Sequence, residues 1–458
     1  MVYVVNGGES GGERKEREAS VWKEVLLSII ASLPFFTHGL ETTELASSSH
    51  SGHFMSTEDG VPWNATAYIL AALVSAPVYC YVVDKCGRKV GIFLVSLAQG
   101  ASCIPLFLSQ DFITVIVLHV VAGIASGGLF TVLPIYVREI NSLTTEGFSL
   151  SLMMVMTTVG YAMKLVMSME YLMYVMTAVV AVQFLSMVLL IETPSYLVMR
   201  GKEEAAKENI TKLKCLDSNG ENVTKELNNL KDESERARSK GNLSVIGIFR
   251  SPMYRDQTKI GVILNTTTVL CGSIVFLDSE KALLQLGISD PDKTLVLSCL
   301  CAGSLFTMLL ISFVERKYLV PFGFFTMMVS MGVLAVFTQM DLTVTSLRWL
   351  PVVALGVLNF GYGVMWALPY IVMVEIYNFE IRATMIGLLF TYGQIIKLIH
   401  IHTHQYIEDY MGIYTLLYIF TSINIYGGVY SLFAIPDLKK KTNKQIEKQM
   451  KRIPLLKF

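Results

Sequence analysis

Runs of about 20 apolar residues, the length that crosses the hydrocarbon core of a bilayer, recur along this chain. They are centred near Ser32, Leu73, Leu97, Val121, Met156 and Val180, and again near Val269, Cys301, Met328, Leu358, Phe390 and Ile423. In lipid a backbone must satisfy its own N–H and C=O groups, and helices of this length do so. The pattern predicts an all-α membrane protein with twelve transmembrane helices, six and six. The helices around Val269 and Phe390 are the least sharply bounded, because they carry Asp278, Lys397 and His400. Between the sixth and seventh runs lies a polar stretch from Glu192 to Arg255. A long polar insert halfway along such a chain suggests two pseudo-symmetric six-helix bundles joined by a connector. That arrangement favours a transporter whose halves rock about a central site. The expected divisions are a tail over 1–22, a first bundle over 23–192, a helical connector over 193–255, a second bundle over 256–435 and a basic tail over 436–458.

Composition agrees. Of the 458 residues, 53% are hydrophobic and 16% charged, against about 25% charged in soluble domains, and mean hydropathy is +0.51. Net charge is zero, so there is no global basic field for nucleic-acid binding. The seven cysteines are scattered, with no CxxC spacing, and read as free thiols. No apolar segment of signal-peptide type follows the charges of residues 1–22, which read as a short disordered tail.

Basic residues set the orientation. With the N-terminus inside, roughly 32 of the 37 Lys and Arg residues fall on the cytosolic side, as the positive-inside rule requires. Only Lys281, Lys293 and Arg348 remain in outer loops, with Lys164 and Lys397 near outer helix ends. Within the connector, 202–213 and 222–236 look helical, and Val223, Leu227 and Leu230 form an apolar stripe. Such helices can lie against the cytosolic ends of the bundles. The Lys-rich segment after Pro436 reads as a solvated tail, with contact to anionic lipid as the alternative.

Two motifs carry charge to the cytosolic helix ends. Asp84-Lys85-Cys86-Gly87-Arg88-Lys89 forms the tight turn between spans two and three, where glycine permits the reversal. Pro134-Ile135-Tyr136-Val137-Arg138-Glu139-Ile140 closes span four, and a carboxylate there needs a partner. The second half echoes both, in Pro369-Tyr370-Ile371-Val372-Met373-Val374-Glu375-Ile376 followed by Arg382, and in Glu315-Arg316. The two Glu-Ile pairs stand 236 positions apart, and Asp84 and Glu315 stand 231 apart. Two similar offsets indicate an internal duplication.

With these motifs, Glu192-Thr193-Pro194-Ser195-Tyr196-Leu197 after span six and Pro436-Asp437-Leu438-Lys439 after span twelve, the chain resembles the sugar-porter branch of the major facilitator superfamily, near the facilitated trehalose and glucose transporters. The resemblance covers nearly the whole chain in order. It implies two six-helix bundles, a central solute site and alternating access. It also implies that Asp84, Arg88, Glu139, Glu315, Arg316, Glu375 and Arg382 shut a cytosolic gate. The family's sugar-binding amides and their neighbours fall here on Met154, Thr267, Thr268, Ser273, Tyr370 and Gln394, and Tyr362 and Trp366 complete the expected lining. Replacing amides by Met and Thr removes hydrogen bonds of about 0.5–1.5 kcal/mol each, and the resulting cavity suits a smaller or more amphipathic solute. Where the family has arginine after span four, this chain has Glu146. Glu139 and Glu146 then repel unless Arg88 or Arg138 intervenes, which points to a weaker gate and a resting state tilted inward-open.

Other polar residues invite different chemistry. His400 and His404 share a helix face, a spacing metals use, but a solvated helix end is the expectation and no metal or cofactor is expected. Proton-coupled members of the family carry an aspartate deep in span one, where this chain has Phe36, Thr37 and His38, so uniport is the reading. The methionines of span five read as packing residues. No nucleophile with a base marks an enzyme. The expectation is thus a facilitative uniporter for a sugar of the trehalose or hexose kind, taken as a monomer, in a eukaryotic plasma membrane. Its partners are a small-molecule solute and the lipid bilayer, with no nucleic acid. A solute-binding receptor or a non-sugar transporter is the alternative.

Overall fold

The computed structural model describes residues 11–50, 63–108, 112–214, 221–239, 251–278, 290–340, 349–439 and 441–453, together with 247, 286 and 347. The first half contains α1 (Gly11–His50), α2 (Trp63–Cys86), α3 (Arg88–Leu108), α4 (Phe112–Ile140), α5 (Glu146–Ala162) and α6 (Met169–Ser186). The connector forms α7 (Pro194–Met199), α8 (Glu203–Lys214) and α9 (Glu221–Ser239). The second half holds α10 (Pro252–Val269), α11 (Ser273–Asp278), α12 (Asp290–Leu310), α13 (Arg316–Gln339), α14 (Trp349–Ile376), α15 (Phe379–Met411) and α16 (Ile413–Ala434). A final helix, α17 (Asn443–Met450), follows. Among the described residues eight helices are individually long and apolar enough to span a membrane, namely α1, α2, α4, α6, α13, α14, α15 and α16. The other expected spans are α3, α5, the α10–α11 pair and α12, which are shorter or carry charge.

The two halves repeat one packing scheme. In the first, α1 packs on α5 and α6, and α4 on α2 and α3; α3 also meets α6. In the second, α10 packs on α15 and α16, and α14 on α12 and α13; α13 also meets α16. Between the halves, α2 meets α15 and α5 meets α12, which exchange under the same repeat. The repeat persists at single residues. A Cβ on Gly123 or Gly127 of α4 would run into the carbonyls of Tyr68 and Ala72 on α2. On α14, Asn359 donates to Val296 O at 3.4 Å, and a Cβ on Gly363 would run into Leu300 O. These pairs fix the offset at 236 for spans four and ten and at 228 for spans two and eight, so Asp84 corresponds to Ser312 rather than to Glu315.

Lipid-buried helices gain little from the hydrophobic effect on meeting each other, so close backbone approach through small residues carries the packing. Gly363→Val should therefore force α12 and α14 apart. The expected loss is about 1–3 kcal/mol or more, read as a lower melting temperature of the detergent-solubilised protein. An unchanged melting temperature would contradict this contact.

Three elements depart from the sequence reading. The segment read as a disordered tail is helical from Gly11, since α1 begins there. Span seven is broken at the expected centre: α10 ends at Val269, and Gly272 takes φ +86 before α11 begins. Only glycine fits, because that conformation is unfavourable for other residues and a Cβ would enter the Phe420 ring. Asn424 of α16 secures the break, donating to Cys271 O at 3.1 Å. The basic tail forms α17, closed by a capping box of Thr442 and Gln445, and it docks through buried Ile446 and Met450.

The connector helices match the predicted segments. Val223 and Leu227 pack with Tyr196, Leu197, Ala206 and Ile210, with Leu230 at the edge. α9 also reaches the second half: Arg238 binds Glu380 at 3.4 Å while donating to Met199 O at 3.0 Å, and Ser234 donates to the same carboxylate.

Candidate translocation path and gate

At the connector end of the bundles the motif charges converge. Arg88 has no solvent exposure and grips Glu139 with two parallel bonds, Nε at 3.1 Å and Nη2 at 3.2 Å. Such bidentate pairs are the strong form of ion pair. Asp84 lies 3.6 Å from the same guanidinium, which stacks 5.1 Å over the Tyr196 ring. Glu139 also accepts the Thr193 hydroxyl at 2.6 Å. Its second cation comes from the other half: Arg382 of α15 sits 3.6 Å away, held by the carbonyls of Val374 and Tyr377.

The second half copies the first pair. Arg316 binds Glu375 at 2.7 Å and donates to Ile311 O, five residues back, as Arg88 donates to Val83 O. The copy ends at position 146, the repeat partner of Arg382. There Glu146 pairs with Arg138 at 2.6 Å, and both act electrostatically on Glu375. The anticipated repulsion is thus resolved, with Arg88 on Glu139 and Arg138 on Glu146. Glu315 stands at the N-cap of α13 and among the described residues enters none of these pairs.

Local structure explains the positioning. Glu192 accepts N–H bonds from Arg88 (2.9 Å), Lys89 (3.3 Å) and Thr193 (3.1 Å), so it caps α3 at the positive end of the helix. Burial nevertheless holds its carboxyl above the usual range. Gly87 has φ +113, and a Cβ there would enter the Glu192 carboxylate. The glycine of the turn and the acid of the connector motif are therefore one device. Tyr196 completes it by donating to Lys85 O at 2.9 Å.

Beside these charges, Ile135, Val374, Ala383 and Ile386 form one buried apolar cluster drawn from both halves, and Cys80 of α2 packs against Gly387 of α15. Deeper still, Phe130 of α4 stacks on Tyr370 (5.2 Å) and Phe390 (5.9 Å) of the opposite half. Its edge contacts are Phe35 and His38, each at 5.4 Å. On the connector side of the gate lies a cavity of about 1150 Å³ whose lining includes Glu24, Arg138, Glu139, Arg236, Arg382 and Lys444.

The expected lining residues divide. Tyr370 reaches the central stack. Thr268 Oγ1 and Gln394 Oε1 are buried and have no hydrogen-bond partner among the described residues. Tyr362 and Trp366 pair at 5.2 Å. Thr267 bonds its own helix, Ser273 donates to the Met327 sulfur at 3.3 Å, and Met154 is buried in the core. Sequence reasoning missed Phe130, an apolar residue in an apolar run. It also missed Thr391, one helical turn before Gln394, whose hydroxyl is buried and likewise has no hydrogen-bond partner among the described residues.

Two pseudo-symmetric bundles, a broken seventh span and buried charge pairs at the connector end define a multi-pass membrane protein of the major facilitator fold. Residues 36–450 match the family described as "Sugar (and other) transporter", and the chain belongs to that family. It is 23% identical over 410 residues to the probable metabolite transport protein CsbC of Bacillus subtilis, covering 84% of this chain and 85% of that one. It is 22% identical over 408 residues to the facilitated trehalose transporter Tret1 of Bombyx mori, covering 86% and 80%. The match to the rat solute carrier family 2, facilitated glucose transporter member 2, is 24% identical over 277 residues. It takes in 57% of this chain and only half of the relative's length. Among solved structures, the proton:xylose symporter XylE bound to 6-bromo-6-deoxy-D-glucose superposes with a TM-score of 0.76 at 14% identity, covering 95% of this chain and 99% of that one. The inward-open conformation of XylE from E. coli gives 0.66 at 12% identity, covering 94% and 99%.

Proposed function

We propose that this protein is a facilitative uniporter that carries a sugar of the trehalose or hexose kind across the plasma membrane by alternating access. The connector, both termini and the charged gate face the cytosol, where the positive-inside rule places the basic residues. The protein works as a monomer embedded in lipid. The Glu139–Arg382 contact carries the reading. It is a buried ion pair between the two halves, and such a pair holds one end of the path shut and is broken when the halves rock apart. The gate residues are Asp84, Arg88, Glu139, Arg316, Glu375 and Arg382, with Arg138 and Glu146 taking the place of a second cross-bundle pair. Thr268, Tyr370, Thr391 and Gln394 meet the solute. Uptake of labelled trehalose and glucose into cells with confirmed surface expression tests the proposal. Saturable uptake of at least one sugar, abolished in Glu375→Gln, is expected. Uptake of neither, with normal surface expression, would sink it.

A further inference from the structure

Glu41 lies on α1 one helical turn beyond His38 and two beyond Phe35, the residues that meet Phe130. Its side chain is 1% exposed, and neither carboxylate oxygen accepts a hydrogen bond among the described residues. Buried polar atoms are nearly always hydrogen-bonded, so a buried carboxylate that accepts no hydrogen bond among the described residues and has only a histidine beside it demands an account. The titratable groups around it are His38 on its own helix at 3.5 Å, Tyr68 on α2, Cys103 on α3 and His119 on α4. His119 is already bonded to Val115 O. Among the described residues no Lys or Arg forms an ion pair with Glu41. His38, 3.5 Å from Glu41, also meets the Phe130 ring at 5.4 Å, which links the carboxylate to the central aromatic stack.

We infer that the transported solute carries a positive charge, a protonated amine, which Glu41 neutralises while the faces of Phe130, Tyr370 and Phe390 pack on its carbon skeleton. This rests on the transporter reading and narrows its substrate to amino sugars and related organic cations. Carboxylate and aromatic faces are the two surfaces that attract an ammonium group. They also replace the hydrogen bonds that amides would supply to a neutral polyol. Solutes with the same ring and different charge isolate the effect.

The test is thermal stabilisation of the purified protein at pH 7 by glucosamine, N-acetylglucosamine, glucose and tetraethylammonium. Glucosamine is expected to act at concentrations about tenfold or more below the two neutral sugars, the range of a charge-assisted bond. Glu41→Gln should erase that advantage, and Glu41→Asp should restore part of it. The comparison among sugars needs no variant, so it stands even if Glu41→Gln fails to fold. Equal stabilisation by glucose and glucosamine keeps the sugar reading and overturns the charge inference. Stabilisation by tetraethylammonium but by no sugar supports the charge inference and overturns the sugar reading. Stabilisation by none of the four overturns the charge inference, as does a dependence on pH alone that Glu41→Gln removes, since the carboxylate then holds a proton.

Discussion

Arg382→Gln is expected to open the gate. The substitution removes the only cross-bundle cation seen on Glu139 among the described residues and leaves Arg88 in place. Breaking a buried pair costs about 3–5 kcal/mol, and the lower end applies because Glu139 stays neutralised. About 3 kcal/mol moves a closed-to-open equilibrium roughly a hundredfold. Cys80 reports it, since this buried thiol packs on Gly387 across the bundle interface. With exposed Cys86 replaced, a thiol reagent applied from the connector side should modify Cys80 far faster in Arg382→Gln than in the parent. Uptake should fall, because a transporter that does not close one end cannot complete its cycle. Unchanged labelling together with unchanged uptake would remove Arg382 from the gate. The parent's own labelling rate addresses the expected inward-open tilt. The Glu139–Arg382 pair joins the halves in the structure, so slow labelling agrees with a closed gate and fast labelling supports the tilt.

Phe130→Ala is the second large effect. The ring meets four aromatic partners from three helices, two of them in the opposite half. Phe-to-Ala truncation in a packed interior costs about 3–5 kcal/mol, and aromatic pairs add about 0.5–1.5 kcal/mol each beyond burial. Part of that loss falls on the contact between halves, so melting temperature and solute discrimination should drop together. Phe130→Tyr, which keeps the ring, should lose much less. A melting temperature and solute profile equal to the parent's would show that the stack neither joins the halves nor bounds the path.

The architecture was legible because lipid imposes a simple rule on sequence: each predicted centre falls in a helix, and two of the three connector helices, α8 and α9, fall on the predicted segments. The charge pairs were legible because charge at a membrane helix end is rare enough to be informative. Arg88, Glu139, Arg316, Glu375 and Arg382 all pair as the motifs suggested. Register was less legible. Asp84 and Glu315 look alike in sequence, yet the backbone contacts of Tyr68, Ala72, Val296 and Leu300 set a different offset, and Glu315 stands outside the pairs. The centre was the least legible part. A phenylalanine within an apolar run gives no signal of meeting the opposite half, as Phe130 does, and hydroxyls such as Thr267 and Thr268 differ only in which neighbour they meet. The break at Gly272 was hidden too, because a helix interruption inside an apolar run leaves hydropathy unchanged.

Rocking of the two halves about this gate is the centre of the account, and an inter-bundle distance tests it most directly. Spin labels at Thr144 and Ser312, an exposed turn residue from each half, sit at the connector ends. Two distance populations are predicted, the shorter one matching the closed gate, with Arg382→Gln shifting weight to the longer. A single distance, unmoved by Arg382→Gln and by every solute tested, would contradict alternating access in this protein.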